Sequence, residues 1–422
     1  MVNLSRREVL AGAVAAAALP GGALAQSVPQ GPVALDVFAL ASSEWQRVFD
    51  RFMAAYPNIK VNFTKFGTDD FKQALRVGAS SGKMPDVWWN WGGSLASPYN
   101  NAGHTVKFTP AMLKEYGVDT VLNQTAIDIA SQGGELYGIP HRNSPFSFLY
   151  KKSVFAKFNL SEPKTLADLE KIAETLKANR VLPFSVGGKF SWMTMRYFDY
   201  FLETFAGPQG HDDFLDMKRA WTEEPVVRSF AKLKEWNDKG YFPQGFLNVD
   251  PSTSTAALFT DQAGIVFEVV SVETNRILRE GQKPEDFGTF PLPTGHSKLR
   301  VAGSPSQFQV NSKLTGDKRA AALLLATFVV KPENAQLTAE VHGFPSATKG
   351  ILPPANLPIQ RKWAELTSGE VGFYRLTDQG LPQEIVAAYF EAQDGMLLGG
   401  VSPAEAGRQV QQAIDRFKRR AG

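Results

Sequence analysis

The side chains able to do chemistry are many, but they do not gather into a catalytic signature. The five histidines, His104, His141, His211, His296 and His342, stand far apart, and no pair has the spacing that clamps a metal ion on a helix. No Walker-type loop is present to cradle phosphate, and no nucleophile elbow is expected. The chain has no cysteine, which removes thiolate chemistry and disulfides together. Carboxylates remain. Two of them facing each other across a cleft can act as the acid and base of a glycosidase, and the sequence leaves that alternative open.

Aromatic side chains beside amides and carboxylates are the more informative pattern. Trp88, Trp89 and Trp91 fall within four residues, interleaved with Asn90 and followed by Gly92 and Gly93. Sugar rings present apolar faces to aromatic planes and hydroxyls to planar polar groups, so binding sites for them mix the two residue types. The period of two along a strand puts Trp89 and Trp91 on one face and Trp88 and Asn90 on the other. Trp88 and Trp89 are expected to pack under helices. Trp91 is expected in a cleft, where the glycines after it permit close approach.

These groups must be positioned by a larger scaffold. Val33 to Leu40 reads as a strand, and Trp45, Val48, Phe49 and Phe52 recur at helical spacing after Ser43-Glu44. Ile59, Val61 and Phe63 alternate as a second strand, Asp69-Asp70 opens a second helix, and Asp86 to Trp91 reads as a third strand. Strand, helix, strand, helix, strand is the pattern of a largely parallel sheet covered by helices, and such sheets bind ligands beyond the carboxyl ends of their strands. Glu135 to Val154 reads as a crossing to another lobe, with His141 to Pro145 as hinge and Phe146 to Tyr150 as the entering strand. A second α/β set follows, with a capping box at Thr165 and Asp168, an aromatic helical stripe from Tyr197 to Phe205, and a strand over Ala263 to Val270. Phe287 to Leu292, running to Pro293-Thr294-Gly295, reads as a return crossing, and the last third is mostly helical. The fold class is α/β, with two lobes interleaved in sequence.

At 422 residues the chain can build two such cores, and its net charge of +3 with both signs mixed gives no case for nucleic acid. At the N-terminus, Arg6-Arg7 precedes a short apolar run, Val9 to Leu19, and Ala23-Leu24-Ala25 follows. This layout predicts an export leader over residues 1–25 of twin-arginine type, with no thiol near the cleavage point to carry a lipid.

Several blocks in order resemble the extracellular solute-binding proteins of ABC importers, in the sugar-binding group that includes maltose-binding protein. They are Y-P-N-I-K-V-N-F, A-S-S-G-K-M-P-D-V, W-G-G-S-L, G-E-L-Y-G-I-P, F-L-Y-K-K-S-V-F, P-K-T-L-A-D-L-E-K-I-A, F-P-L-P-T-G and A-A-L-L-L-A-T-F-V-V-K-P-E-N-A-Q. The resemblance implies a type II periplasmic binding-protein fold, with lobe 1 over 26–142 and 296–345, and lobe 2 over 143–295 and 346–422. It implies carbohydrate binding without catalysis, metal or cofactor, a monomer in the periplasm, and permease subunits in the membrane as partners. Carried over by position, it implies ligand contacts at Ser43, Glu44, Asp69, Asp70, Asn90, Trp91, Gly92, Arg142, Asn143, Trp192, Glu268, Ser271, Ser304 and Gln307, and a further loop at Phe344. Relatives often stack sugar on a tryptophan near Ser271. None stands there, and the stacking role passes to Trp192 or Trp91.

Overall fold

The computed structural model describes residues 28–41, 43–297, 300–342, 346–366 and 372–421. The expected leader and the loop at Phe344 lie outside them. Strand β1 (Val33–Leu40) buries Leu35, Val37 and Ala39 on one face, as its alternation demands. The helix Ser43–Ala55 covers that face with Trp45, Val48, Phe49 and Phe52, all fully buried. Strand β2 (Ile59–Phe66) runs parallel to β1, with Val33 opposite Ile59 and Leu40 opposite Phe66. The helix Thr68–Ser81 leads to β3 (Val87–Trp91), parallel to β1 on its other side. A small hairpin, β4 (Ser131–Gln132) and β5 (Glu135–Leu136), turns through Gly133 and Gly134, whose φ values of 58° and 78° favour glycine.

Strand β6 (Ile139–Lys151) carries the chain onward, then come β7 (Leu182–Ser185), β8 (Ala263–Val269), β9 (Phe287–Phe290), β10 (Arg300–Val310) and β11 (Gly372–Tyr374). The strand order is β2-β1-β3-β10-β6-β8-β7, with β9 on β6 and β11 on β10. Two strands therefore belong to both halves. The first part of β6 pairs with β10, from Ile139 opposite Phe308 to Pro145 opposite Gly303. Its second part pairs with β8 and β9, with Phe148 opposite both Phe267 and Phe290. In turn β10 pairs with β3 through Ser306 to Val310 and with β11 through Arg300 to Ala302.

The hinge expected over His141 to Pro145 is part of one continuous strand, β6. Its one irregularity is at His141, where Ser306 faces Arg142 and Gln307 faces Pro140, leaving one residue over. That bulge turns His141 into the core, where its Nε2 accepts from Trp89 Nε1 at 2.8 Å. The return crossing also differs from the sequence reading. Phe287 to Phe290 stays in the second half as β9, and β10 makes the return. The heptapeptide from Phe287 to Pro293 is apolar because β9 is buried on both sides, not because it crosses.

Two separate cores result. The first gathers Leu35 to Ile139 and Phe308 to Ala347, the second Phe146 to Ala302 and Ile359 to Ile414. The aromatic stripe supplies the second: Tyr197, Phe198 and Phe201 are fully buried, and Phe184 stacks on Trp236 at 4.6 Å. That helix, Trp192–Leu215, breaks at Gly207, whose φ of 71° precedes Pro208.

Candidate functional site

Between the two cores lies a cavity of about 720 Å³, open to solvent and lined by both lobes and by the crossing strands. From the first lobe, β3 delivers Trp91 at its carboxyl end, and the first turn of the helix Thr68–Ser81 delivers Asp69 and Asp70. Carboxylates suit that turn because it carries the positive end of the helix dipole. Trp91 stands edge-on to Trp89 at 4.6 Å, and Lys72 Nζ lies 5.2 Å from the centre of its ring. Asp69 is raised above the usual carboxylate range by burial. Lys72 opposes the shift, and Asp250, on the second lobe's wall, adds to it.

From the second lobe come Trp192, Arg196, Asp250, Glu268, Ser271 and Asp378. Arg196 donates to Glu268 Oε1 at 3.1 Å and to the Phe267 carbonyl at 3.2 Å. Its guanidinium is sandwiched between Phe146 at 4.3 Å and Trp192 at 4.7 Å. The crossing strand β6 adds Arg142 and Ser144, two residues apart and so on one face. Burial brings Arg142 down to about 10, and Glu44, fully buried, acts in the opposite sense.

Seven residues singled out from sequence meet at this cavity: Asp69, Asp70, Trp91, Arg142, Trp192, Glu268 and Ser271. Four do not line it. Asn90 is buried on the opposite face of β3, donating to Gln309 Oε1 at 2.9 Å beside Trp88 Nε1, and the alternation that brings Trp91 to the cavity sends Asn90 away. Gln307 is displaced in the same way: Ser306 lines the cavity, and Gln307 packs against Gly138, where an added Cβ would come within 2.8 Å of Gln307 Oε1. Glu44 sits behind Arg142, not on the wall. Gly92 is buried off the wall, and its neighbour Gly93 shows what the pair does: a Cβ there would meet the Gln379 carbonyl at 2.4 Å. The close approach is made by the other lobe's backbone. The side chains of Ser43, Asn143 and Ser304 lie outside the described residues.

Sequence reasoning passed over Arg196 and Asp378. Arg196 had a signal: it is a cation four residues after Trp192 on a helix whose face is otherwise aromatic. Asp378 had none, because its short helix, Thr377–Gly380, follows from tertiary contacts. The string Gly78-Ala79-Ser80-Ser81-Gly82 does fit G-x-S-x-G. It closes the exposed end of the helix Thr68–Ser81, with Ser80 Oγ donating to the Val77 carbonyl, and is no strand-to-helix elbow.

Three residues of the wall each hold a buried polar atom with no hydrogen-bond partner among the described residues: Ser144 Oγ, Trp192 Nε1 and Asp378 Oδ1. They comprise a hydroxyl, a donor and an acceptor. Beside them stand aromatic rings and fixed charges of both signs. The arrangement can hold a neutral ligand with apolar faces and several hydroxyls. No cluster of metal-ligating side chains occurs among the described residues.

The family described as bacterial extracellular solute-binding protein matches residues 47–367. An uncharacterized ABC transporter extracellular-binding protein of Pyrococcus horikoshii is 26% identical over 59% of this chain, and the match spans 57% of that relative's own length. The multiple sugar-binding protein of Streptococcus mutans is 20% identical over 75% of this chain and 74% of its own. Among solved structures, a chitin oligosaccharide binding protein superposes with a TM-score of 0.83 at 20% identity, over 91% of this chain and 98% of that one. The likeness shows the fold: two α/β lobes of the type II periplasmic binding proteins.

Proposed function

The chain belongs to the bacterial extracellular solute-binding proteins, and we propose that it is the receptor of an ABC importer, capturing a carbohydrate between its lobes and handing it to the permease in the membrane. The observation that carries this reading is the interlobe cavity, whose wall combines Trp91 and Trp192 with the unpartnered Ser144 Oγ, Trp192 Nε1 and Asp378 Oδ1. At about 720 Å³ it falls within the range of small-molecule sites. A sugar entering it stacks an apolar face on an aromatic ring, and its hydroxyls satisfy the polar atoms that the fold leaves unmatched. Pairing to such groups also sets specificity, because a ligand lacking the hydroxyl leaves them unsatisfied.

We place the hinge in the two shared strands, at Arg142 to Pro145 of β6 and Gly303 to Ser306 of β10, where the ladder passes from one core to the other. Ligand contacting both walls favours the closed arrangement by its differential affinity for it, and the permease reads that arrangement. The lobes are interleaved, but with the return inside β10 and not at 295, so that Val301 and Ala302 stay with the second lobe and Ala347 with the first. On this reading the protein acts as a periplasmic monomer after export by a twin-arginine leader.

A thermal-shift panel of glucose, galactose, N-acetylglucosamine, maltose, cellobiose, xylobiose, chitobiose and sorbitol tests the substrate class. At least one sugar is expected to raise the melting temperature saturably and to be recovered unchanged, since binding to the native state stabilises by mass action. No response from any sugar overturns the carbohydrate reading, a response to sorbitol alone moves it to polyols, and turnover of a glycoside restores the enzyme alternative.

A further inference from the structure

Asp378 occupies an unusual place. It sits on the short helix Thr377–Gly380, which is anchored in the second lobe by Asp199: the Thr377 amide donates to Asp199 Oδ2 at 3.0 Å and its hydroxyl to Oδ1 at 2.5 Å. On its other side the same helix touches the first lobe. Ser94 Oγ, just beyond β3, donates to the Asp378 carbonyl at 2.8 Å, and Gln383 Nε2 donates to both Ser94 Oγ and that carbonyl at 2.9 Å. Gly93, at a φ of 63°, admits the Gln379 carbonyl where any Cβ would collide with it. The two lobes therefore meet at the main chain of Asp378.

The side chain of Asp378 faces elsewhere. It lines the ligand cavity, is 8% exposed, and its Oδ1 has no hydrogen-bond partner among the described residues. Burial raises its carboxyl above the usual range, with the charges of Lys72 and Arg196 opposing from either wall. Its own backbone amide stabilises the carboxylate as well, but Oδ1 keeps an unused acceptor position, and leaving a buried acceptor unsatisfied costs stability. A residue of the cavity wall with that position open can accept a hydrogen bond from a group in the cavity.

We propose that Asp378 couples ligand capture to the meeting of the lobes: its carboxylate accepts a ligand hydroxyl while its carbonyl holds Ser94 of the opposite lobe. The hydroxyl rests on the carbohydrate reading above. The coupling follows from one residue making both contacts, so that ordering its side chain on a ligand fixes the backbone on which the interlobe contact depends.

The experiment has one arm without sugar and one with it. In the sugar-free protein, Asp378→Asn is expected to raise the melting temperature, because it removes a buried charge whose desolvation outweighs what Lys72, Arg196 and the backbone return. A lowered melting temperature shows that the carboxylate is structural and overturns the proposal. In the second arm, titration with whichever panel sugar gives the largest thermal shift is expected to show roughly 10- to 100-fold weaker binding for Asp378→Asn, the loss of a charge-assisted hydrogen bond. Ser94→Ala, which leaves the carboxylate in place, is expected to weaken binding less and to enlarge the radius of gyration of the sugar-saturated protein in X-ray scattering. Undiminished affinity in Asp378→Asn, or unchanged affinity and scattering in Ser94→Ala, overturns the coupling. If no panel sugar binds the unaltered protein, the carbohydrate reading fails, and the sugar-free arm still decides whether Asp378 is held for a ligand.

Discussion

The two walls of the cavity are built differently. The first-lobe wall comes from three short segments close together in the chain, at 40–41, 66–72 and 89–95, where the end of β1, the start of the helix Thr68–Ser81 and the end of β3 bring Asp69, Asp70, Lys72 and Trp91 to the cavity. The second-lobe wall is assembled from four separated segments, at 190–196, 250–252, 268–279 and 376–379. Some of its polar groups are tied before any ligand arrives, Arg196 to Glu268 and Asp250 to the Ser252 amide, and the helix carrying Asp378 is anchored behind the wall by Thr377 on Asp199, while Trp192 Nε1 and Asp378 Oδ1 stay unpartnered. The first wall offers an aromatic surface on a rigid sheet, and the second a prearranged polar network. A receptor gains from the division, because a flat ring tolerates small shifts of a sugar whereas hydrogen bonds do not.

Breaking the network should have the largest effect. Arg196→Ala leaves Glu268 without its cation and removes the guanidinium between Phe146 and Trp192. Removing one member of a buried ion pair costs about 3–5 kcal/mol. Denaturant unfolding is expected to show a loss of that order together with loss of sugar binding. Arg196→Met, which keeps the packing, should recover part of the stability and little of the affinity. A loss below about 1 kcal/mol for Arg196→Ala would show the second wall to be no more prearranged than the first.

The first wall predicts the opposite division between stability and binding. Trp91 is half-buried, so Trp91→Ala should scarcely change unfolding yet weaken sugar binding on the order of tenfold to a hundredfold. Trp89, fully buried and bonded to His141, should behave in reverse, with Trp89→Ala costing about 3–5 kcal/mol of stability. Fluorescence titration of the two variants, compared with their unfolding curves, checks the crossing of effects. Equal effects on both properties would place the two tryptophans in one continuous core.

The same contrast decides what the sequence made legible. The βαβ passages and the aromatic stripe were readable because their burial is periodic, and Trp91 because glycines and a strand end marked it. The wall residue was missed by one position at Asn90 and at Gln307, since a period of two specifies which residues share a face but not which face meets the cavity. The crossing at His141 to Pro145 was legible, but the continuity of its strand was not, because Pro140 and Pro145 signal a break; the ladder accommodates them around a bulge at His141. Asp378 was illegible because its position depends on Asp199, Ser94 and Gln383, residues that only the folded chain brings together.

The smallest expected effect concerns acid–base balance, and it too separates the lobes. In the second lobe, Glu203 and Glu273 are each pushed up to about 7 by burial. Arg300 opposes the shift for Glu203, and the Ile359 and Gln360 amides oppose it for Glu273. His211, whose Nδ1 lies 3.3 Å from Glu203, is brought down to about 3, chiefly by burial. For either carboxyl the unfolded chain ionises near 4.5 while the folded chain waits until about 7, so the stabilisation is complete below 4.5 and is lost as pH rises to 7. For His211 the unfolded imidazole holds a proton up to 6.5 that the folded one lacks above about 3, so stability rises across that range. Two carboxyls against one imidazole leave a net fall between 4.5 and 6.5, to which Asp199, Asp378 and Asp394, also raised by burial, add in the same sense, and calorimetry should show the melting temperature dropping by a few degrees over that interval. Glu273→Gln removes one of these carboxyls while keeping its shape, so the fall should become shallower. A slope unchanged in Glu273→Gln would assign the dependence to other groups, Asp69 and the first wall among them.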